Sequence, residues 1–135
     1  MFSVAREFSF SYGHRLVRYD GKCRRLHGHN AKVRVEIASE GDELNEQGMA
    51  LDFVSLKATI GTWIDDALDH RVFLAKDDPL AEVLKGAGEE PILFDGNPTA
   101  EQFAKMIFER AESVGLRVVR VEFWETQNCR ATYSR

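Results

Sequence analysis

Hydrophobic and polar residues alternate along two early stretches of the chain. In residues 2–14 the even positions are apolar or aromatic and the odd positions are mostly small or polar, with Arg6 as the exception on the apolar side. Residues 30–38 alternate in the same way. A period of two is typical of a strand with one buried face. The sequence therefore predicts two β-strands here, with a polar loop after the second.

Two later stretches repeat their apolar residues at helical spacing. The first follows Asp52, a suitable N-cap, and ends near residues 69–70. The second begins with a capping box formed by Thr99 and Gln102, and it ends at Gly115. The apolar stripes are Phe53, Leu56, Ile60, Trp63, Ile64 and Ala67 in the first helix, and Phe103, Met106, Ile107, Ala111 and Val114 in the second.

Alternation returns at residues 119–125, and a short last strand is predicted at 129–133. The region between the two helices gives a weaker signal, with a short helix indicated at 79–85 and a short strand at 91–94. Because strands and helices are segregated in the order ββααββ, we predict one α+β domain over residues 1–135. It has an antiparallel four-stranded sheet and two helices on one face. The exposed edges of such a sheet favour pairing between subunits.

The composition, with 44% apolar and 30% charged residues, is typical of a soluble globular domain. No apolar run approaches the roughly 18 residues of a membrane span. The N-terminus, MFSVAREFSF, lacks the basic and then apolar order of a signal peptide. The net charge of −4 argues against binding to nucleic acid. We therefore expect a cytoplasmic protein with no membrane or nucleic-acid partner.

Basic residues are concentrated in residues 15–25, where Asp20 is the only acid. Such a cluster is either a solvated loop or an anion site, for example for the phosphates of a substrate. The five basic residues are Arg15, Arg18, Lys22, Arg24 and Arg25.

Three of the four histidines share the buried faces of the first two predicted strands. His14 ends the apolar face of the first strand, and His27 and His29 extend that of the second, because residues i and i+2 of a strand point the same way. If the two strands pair as a hairpin, the three imidazoles converge. Three imidazoles with an open fourth position form a catalytic zinc site, although imidazole also suits other divalent metals. The alternative is that they are core and loop histidines.

Cys23 lies four residues before His27, with basic residues on both sides that favour its thiolate. The alternative is an inert loop thiol. Cys23 is not expected to be a fourth metal ligand, because it would close the open position of a catalytic site. Cys129, on the last strand, is predicted to be a core residue without chemistry.

Acidic residues beside these groups suggest further roles. A carboxylate next to a histidine, as in Asp69-His70, can fix the tautomer and raise the basicity of the ring, or it can be a polar helix end. Glu125 is an acid on an apolar strand face, where it needs donors. The adjacent N–H groups of a pterin or guanine edge would supply them in bidentate fashion; the alternative is a strand end turned to solvent. Glu101, in the first turn of a helix, suits the helix dipole.

Six motifs, in order along nearly the whole chain, resemble the family of 6-pyruvoyltetrahydropterin synthase and 6-carboxytetrahydropterin synthase. They are His14-Arg15-Leu16, Cys23-Arg-Arg-Leu-His27-Gly-His29, Gly48-Met-Ala-Leu-Asp52-Phe53, Leu68-Asp69-His70, Asn97-Pro98-Thr99-Ala100-Glu101 and Trp124-Glu125-Thr126.

The resemblance implies the tunnelling fold, in which trimers close their sheets into a barrel and two trimers stack as a hexamer with active sites between subunits. It implies Zn²⁺ as cofactor and 7,8-dihydroneopterin triphosphate as substrate. The implied site residues are His14, His27 and His29 for the metal, Cys23, Asp69 and His70 for proton transfer, and Glu125 and Glu101 for substrate binding.

The compact chain and the spacing of the cysteine to His-Gly-His favour the bacterial 6-carboxy branch. That branch releases acetaldehyde as well as triphosphate and leads to queuosine and other deazapurines. The alternatives are the 6-pyruvoyl branch, a non-catalytic module that binds zinc and a pterin, and a zinc hydrolase. Two features depart from the family pattern: the segment between His70 and Asn97 is longer than in compact bacterial members, and Tyr12-Gly13 stands where small residues are expected.

Overall fold

A computed structural model describes all 135 residues and contains six strands and four α-helices. The strands are β1 Ser3–His14, β2 His27–Ala38, β3 Arg71–Ala75, β4 Ile92–Phe94, β5 Val118–Thr126 and β6 Cys129–Ser134. The helices are α1 Phe53–Leu56, α2 Thr62–Ala67, α3 Leu80–Gly86 and α4 Ala100–Ser113, with a π-helical turn at Lys57–Gly61 and a 3₁₀ turn at Lys22–Arg24.

The strands form one mixed sheet in the order β4-β3-β1-β2-β5-β6. β3 runs parallel to both β1 and β4, and the other neighbours are antiparallel. The prediction of an antiparallel four-stranded sheet with two helices was therefore wrong, although the α+β class is confirmed. β3 was missed because five residues, three of them buried in succession, give no alternation to detect. The short helix and short strand predicted after it are present as α3 and β4.

The first predicted helix is present but is interrupted by the π-helical turn. Its N-cap is Asp52, whose side chain accepts a hydrogen bond of 2.8 Å from the Val54 N–H. Gly61 closes the π turn against Phe8 of β1: a Cβ at this glycine would lie 3.0 Å from the Phe8 ring. The absence of a side chain thus lets this helical segment lie directly on the sheet.

The second predicted helix, α4, begins where Thr99 accepts a bond of 3.4 Å from the Gln102 N–H, which is one half of the predicted capping box. It ends before Gly115, whose φ of +85° is readily adopted only by glycine. None of the helices has the length and apolar character required to cross a bilayer.

The core lies between the helices and one face of the sheet. This face carries the even-numbered residues of β1 and the odd-numbered residues of β2. Phe103 of α4 stacks on Phe123 of β5, with ring centroids 4.8 Å apart. Arg6, the exception in the alternation of β1, donates a hydrogen bond of 2.7 Å to the Phe53 carbonyl and so meets a polar partner at the start of α1. Phe2 was placed on the buried face by its parity, but it precedes β1 and is 52% exposed.

Candidate metal centre

The pairing of β1 with β2 brings the three predicted histidines together. His14 lies opposite His27 in this antiparallel pair, and Tyr12 lies opposite His29. The ring centroids of the three imidazoles are 4.6 to 5.1 Å apart. The convergence predicted from the alternation of the two strands is therefore present, and it follows from the shared face of residues i and i+2.

The side chain of Glu125 on β5 completes a four-residue cluster. One ligand atom from each of His14, His27, His29 and Glu125 lies within 4.8 Å of all the others. The His14 and His27 Nε2 atoms are 3.1 Å apart. Glu125 Oε1 is 3.0 Å from His14 Nε2 and 3.1 Å from His29 Nε2. The alternation of the strand predicted that Glu125 faces inward, but it did not predict this contact with the histidines.

Two backbone carbonyls orient the histidine rings from outside the cluster. His14 Nδ1 donates to the Pro98 carbonyl at 2.8 Å, and His27 Nδ1 donates to the Arg25 carbonyl at 2.6 Å. These bonds fix the tautomer in which the Nε2 lone pair faces the centre. Such outer hydrogen bonds are the usual support of metal-binding histidines.

The electrostatics of the cluster also suit a cation. Burial, followed by the neighbouring His14 and His27, lowers the pKa of His29, although the carboxylate of Glu125 opposes this. The His14 ring and then the charges of the histidines hold the pKa of Glu125 below its usual value, against the effect of burial. His29 Nε2 is buried and has no hydrogen-bond partner, because its approach to Glu125 lacks hydrogen-bond geometry. Three imidazole rings and a carboxylate, with one ring nitrogen orphaned, fit a divalent metal ion.

A cavity of about 290 Å³ opens beside the cluster. It brings half-buried Cys23 into the same space as His14 and Glu125. Glu101, in the first turn of α4, also lines it. The other lining residues are Leu16, Tyr19, Thr99, Ala100, Cys129, Arg130 and Ala131.

Cys129 is an exposed residue of the cavity wall, so its prediction as a core residue was wrong. It begins β6 opposite Thr126, and β6 is the edge strand of the sheet, so no further strand covers it. A larger cavity of about 390 Å³, lined by Ile37 and Arg117 at the far end of β2, contains none of the predicted site residues.

Asp69 and His70 lie outside the cavity of their own chain. Asp69 accepts a bond of 2.9 Å from the Ser11 N–H, and the His70 N–H donates to the Ser11 carbonyl at 2.7 Å. The two side chains are also joined, with His70 Nδ1 2.8 Å from Asp69 Oδ2. The hydrogen bond from Ser11 and then that from His70 hold the pKa of Asp69 below its usual value. The His70 side chain is 82% exposed and has a φ of +61°, so the pair faces outward from the chain.

The basic cluster divides into two groups. Arg15 and Arg18 are paired with Asp78 and Asp77. The other three basic residues have no ion-pair partner and line a surface cavity of about 410 Å³ with Asp20 and Gly21. These three are Lys22, Arg24 and Arg25.

Tyr12 lies at the site but was not among the predicted site residues. It is 4% exposed, and its ring centroid lies 5.0 Å from that of His14 and 5.6 Å from that of His29. Its hydroxyl is buried without a hydrogen-bond partner. Burial and then the charge of Glu125 raise its pKa. Its parity with His14 was the available signal.

Comparison with known proteins gives one consistent result. The protein family described as 6-pyruvoyl tetrahydropterin synthase matches residues 3–135. A 6-carboxy-5,6,7,8-tetrahydropterin synthase from Haemophilus influenzae is 32% identical over 132 residues, which are 93% of this chain and 94% of that protein. A protein of the same name from Synechocystis is 36% identical over 136 residues, which are 98% of this chain and 93% of that protein.

Solved structures agree with these matches. The structure of 6-pyruvoyl tetrahydropterin synthase from Caenorhabditis elegans superposes with a TM-score of 0.72 at 28% identity, covering 99% of this chain and 95% of that one. An uncharacterized protein from Wolinella succinogenes gives a TM-score of 0.77 at 28% identity, covering 99% and 98%.

Proposed function

Because the chain belongs to the 6-pyruvoyl tetrahydropterin synthase family, we propose that it is a zinc-dependent 6-carboxy-5,6,7,8-tetrahydropterin synthase. The proposed reaction converts 7,8-dihydroneopterin triphosphate to 6-carboxytetrahydropterin and releases acetaldehyde and triphosphate. The observation that carries the proposal is the single cavity in which Cys23, His14 and Glu125 meet. The names of the bacterial relatives support the 6-carboxy branch.

His14, His27 and His29 would hold the zinc through their Nε2 atoms. The bonds from Nδ1 of His14 and His27 to backbone carbonyls support this ligand set. When bound, zinc supplies Lewis acidity beside the hydroxyl groups of a substrate side chain, which makes nearby protons easier to remove.

Cys23 would act as the base that takes a proton from the substrate. It shares the cavity with His14 and has no disulfide partner, which leaves its sulfur free to react. The relay pair of Asp69 and His70 faces outward, so we assign it to the cavity of a neighbouring subunit. The bond of 2.8 Å between the two side chains suits a histidine whose tautomer is fixed for proton transfer.

Glu125 would accept the 2-amino and N3–H groups of the pterin. An ionised carboxylate is an acceptor only, as this role requires, and Glu125 lines the cavity with Cys23. Its contacts with His14 and His29 make metal ligation the competing role. Glu101 would line the same pocket as a second contact for the substrate.

The three unpaired cations would hold the triphosphate. Lys22, Arg24 and Arg25 lie around Cys23 in the sequence and face one surface cavity, whereas Arg15 and Arg18 are engaged by aspartates. The remaining parts of the proposal rest on the resemblance: one domain over residues 1–135, a hexamer of two stacked trimers, a cytoplasmic location and a place in queuosine biosynthesis.

The direct test is to incubate the purified zinc-loaded protein with 7,8-dihydroneopterin triphosphate and identify the products by mass. We expect 6-carboxytetrahydropterin, acetaldehyde and triphosphate, with a large loss of turnover in Cys23→Ala while its metal is retained. A product that keeps the side-chain carbons would instead assign the 6-pyruvoyl reaction. Unchanged substrate would contradict both and leave a binding module.

A further inference from the structure

A backbone hydrogen bond connects the two sides of the loop that carries Cys23. This loop, residues 15–26, leaves β1 after His14 and returns to β2 at His27. The Leu16 N–H donates to the Cys23 carbonyl at 2.9 Å. The position of Cys23 relative to the metal centre therefore depends on where residues 15–17 lie.

Asn97 holds that segment from its other side. The Val17 N–H donates to Asn97 Oδ1 at 2.9 Å, and Asn97 Nδ2 donates to the Val17 carbonyl at 2.8 Å. One side-chain amide thus occupies both backbone groups of Val17, as a neighbouring strand would. Only an amide offers a donor and an acceptor side by side, so aspartate at this position could make only one of the two bonds.

Asp78 holds the same segment by a second route. Arg15 Nε donates to Asp78 Oδ2 at 2.8 Å, and Arg15 Nη2 contacts the other carboxylate oxygen, so the pair is bidentate. The Asp78 side chain is fully buried, and its Oδ1 also accepts a bond of 2.8 Å from the Leu80 N–H. The aspartate therefore ties Arg15 to the start of α3.

The metal centre is attached to this same anchor. The carbonyl of Pro98, the residue after Asn97, accepts the hydrogen bond from His14 Nδ1. Residues 97–98 thus contact the chain at His14 and at Val17, on both sides of Arg15. A shift of this segment would move a histidine of the cluster and, through Leu16, the thiol.

We propose that Asp78 and Asn97 are positioning residues of the site, which fix the Nε2 of His14 and the sulfur of Cys23 relative to each other. They touch neither the metal cluster nor the cavity and act through Arg15 and Val17. The inference rests on the proposed function for its meaning in catalysis. It also assigns a role to the long segment between His70 and Asn97, which carries Asp78 at the start of α3 and leads through β4 to Asn97.

The test uses Asp78→Asn and Asn97→Asp in the full chain, each in a Cys129→Ser background so that Cys23 is the one remaining thiol. Zinc affinity is measured by competition with a chromophoric chelator, and Cys23 accessibility by its rate of alkylation. We expect zinc affinity to fall about tenfold, the lower end of the loss that follows when a hydrogen-bond partner of a metal ligand is removed. Alkylation should become faster, because the half-buried thiol is released with its loop.

The matched control is Asp77→Asn. Its ion pair with Arg18, 2.6 Å long, joins the same two segments, but both side chains are more than half exposed. We expect its zinc affinity and alkylation rate to stay within about twofold of the parent, since exposed ion pairs contribute little. Asn97→Ala, which introduces no charge, serves as the second variant if Asn97→Asp does not fold.

Parent-like zinc affinity and alkylation in the folded Asp78 and Asn97 variants would overturn the inference. Equal losses in Asp77→Asn would also overturn it, because any link between the segments would then suffice. Neither measurement depends on turnover. A failure of the pterin reaction in the parent protein is therefore distinguishable from a failure of the positioning role.

Discussion

Three hydrogen-bond acceptors lie close together in the metal centre: the Nε2 atoms of His14 and His27 and the carboxylate of Glu125. The Nδ1 protons of the two histidines are already donated to carbonyls, so in the neutral rings nothing within the cluster donates between these atoms. A bound cation removes this conflict. Since a ligand that binds only the folded chain stabilises it, metal binding should also raise the thermal stability of the protein.

Replacing one of the three histidine ligands should abolish zinc binding. Purified protein is expected to carry about one zinc per chain, and His27→Ala is expected to carry almost none, because two remaining imidazoles bind zinc much more weakly. Elemental analysis after gel filtration measures the content. His70→Ala, whose side chain is exposed and outside the cluster, is the control and should keep its metal. Full metal content in His27→Ala would refute the ligand set.

Glu125→Gln separates the two roles that its position allows. The amide is nearly the same size, but its NH₂ group is a donor and would face one of the two pterin N–H groups, so bidentate pairing is lost. For an anchor we expect unchanged zinc affinity and substrate binding weaker by about tenfold to a hundredfold, the usual value of a charged hydrogen bond. A drop in zinc affinity with unchanged substrate binding would instead identify a metal ligand. Chelator competition and isothermal titration with the substrate measure the two quantities.

The buried hydroxyl of Tyr12 gives a prediction for stability. Because it has no partner, Tyr12→Phe should leave the unfolding free energy of the metal-free protein unchanged or raise it by about 1 kcal/mol. Tyr12→Ala, which empties space beside Phe103 and Phe123, should instead cost about 3–5 kcal/mol. Urea unfolding measures both. A loss in Tyr12→Phe comparable to that in Tyr12→Ala would reveal a partner for the hydroxyl.

At the level of elements, alternation predicted β1 and β2 because each is twelve residues long, with one face on the core. The convergence of the histidines followed from the same parity. β3, with five residues, is too short for a periodic signal, and its parallel pairing with β1 and β4 is a tertiary property. The contact of Glu125 with His14 also depends on the register of β5, which its own residues do not encode.

A network of charges joins β1, β2 and β5 on the face of the sheet opposite the helices. Glu36 accepts hydrogen bonds from Arg120 and Ser3, both at 2.8 Å, and from Arg34 at 3.0 Å. Arg34 also donates to Glu122 at 2.8 Å. Both glutamates are nearly buried, so their charges are poorly solvated and depend on these donors.

This network makes the stability of the sheet dependent on pH. The bond from Arg120, followed by those from Ser3 and Arg34, lowers the pKa of Glu36 to about 2, against the effect of burial. A depressed pKa contributes stability that is present above the ordinary value of 4.5 and is lost as the pH falls toward about 2. Glu36→Gln should therefore reduce the unfolding free energy near neutral pH by about 2–3 kcal/mol.

The difference between parent and Glu36→Gln should shrink as the pH falls from 4.5 toward about 2. Urea unfolding of both metal-free proteins over this range measures it. Glu7→Gln is the control, because its contact with Lys32 is 3.9 Å long and exposed, so it should change little at any pH. A difference between Glu36→Gln and the parent that is the same at every pH would show that the charge of Glu36 is not responsible.

For the whole molecule, the main consequence is that one chain does not assemble all of its predicted catalytic residues. Cys23 and His14 share the cavity, whereas Asp69 and His70 are fixed to Ser11 and face outward. β4 and β6 are free edges at the two sides of the sheet, so either can pair with another chain. The proposed function therefore requires that neighbouring copies complete each site for one another.

Complementation between two inactive variants tests this requirement. Cys23→Ala and His70→Ala should each have almost no turnover alone. If each site takes Cys23 from one chain and His70 from its neighbour, oligomers reassembled from an equal mixture contain both intact residues at about a quarter of their sites, by random pairing. Turnover should then recover to about that fraction of the parent value. If both residues served a site within one chain, every site in the mixture would lack one of them, and turnover would stay at the level of the separate variants.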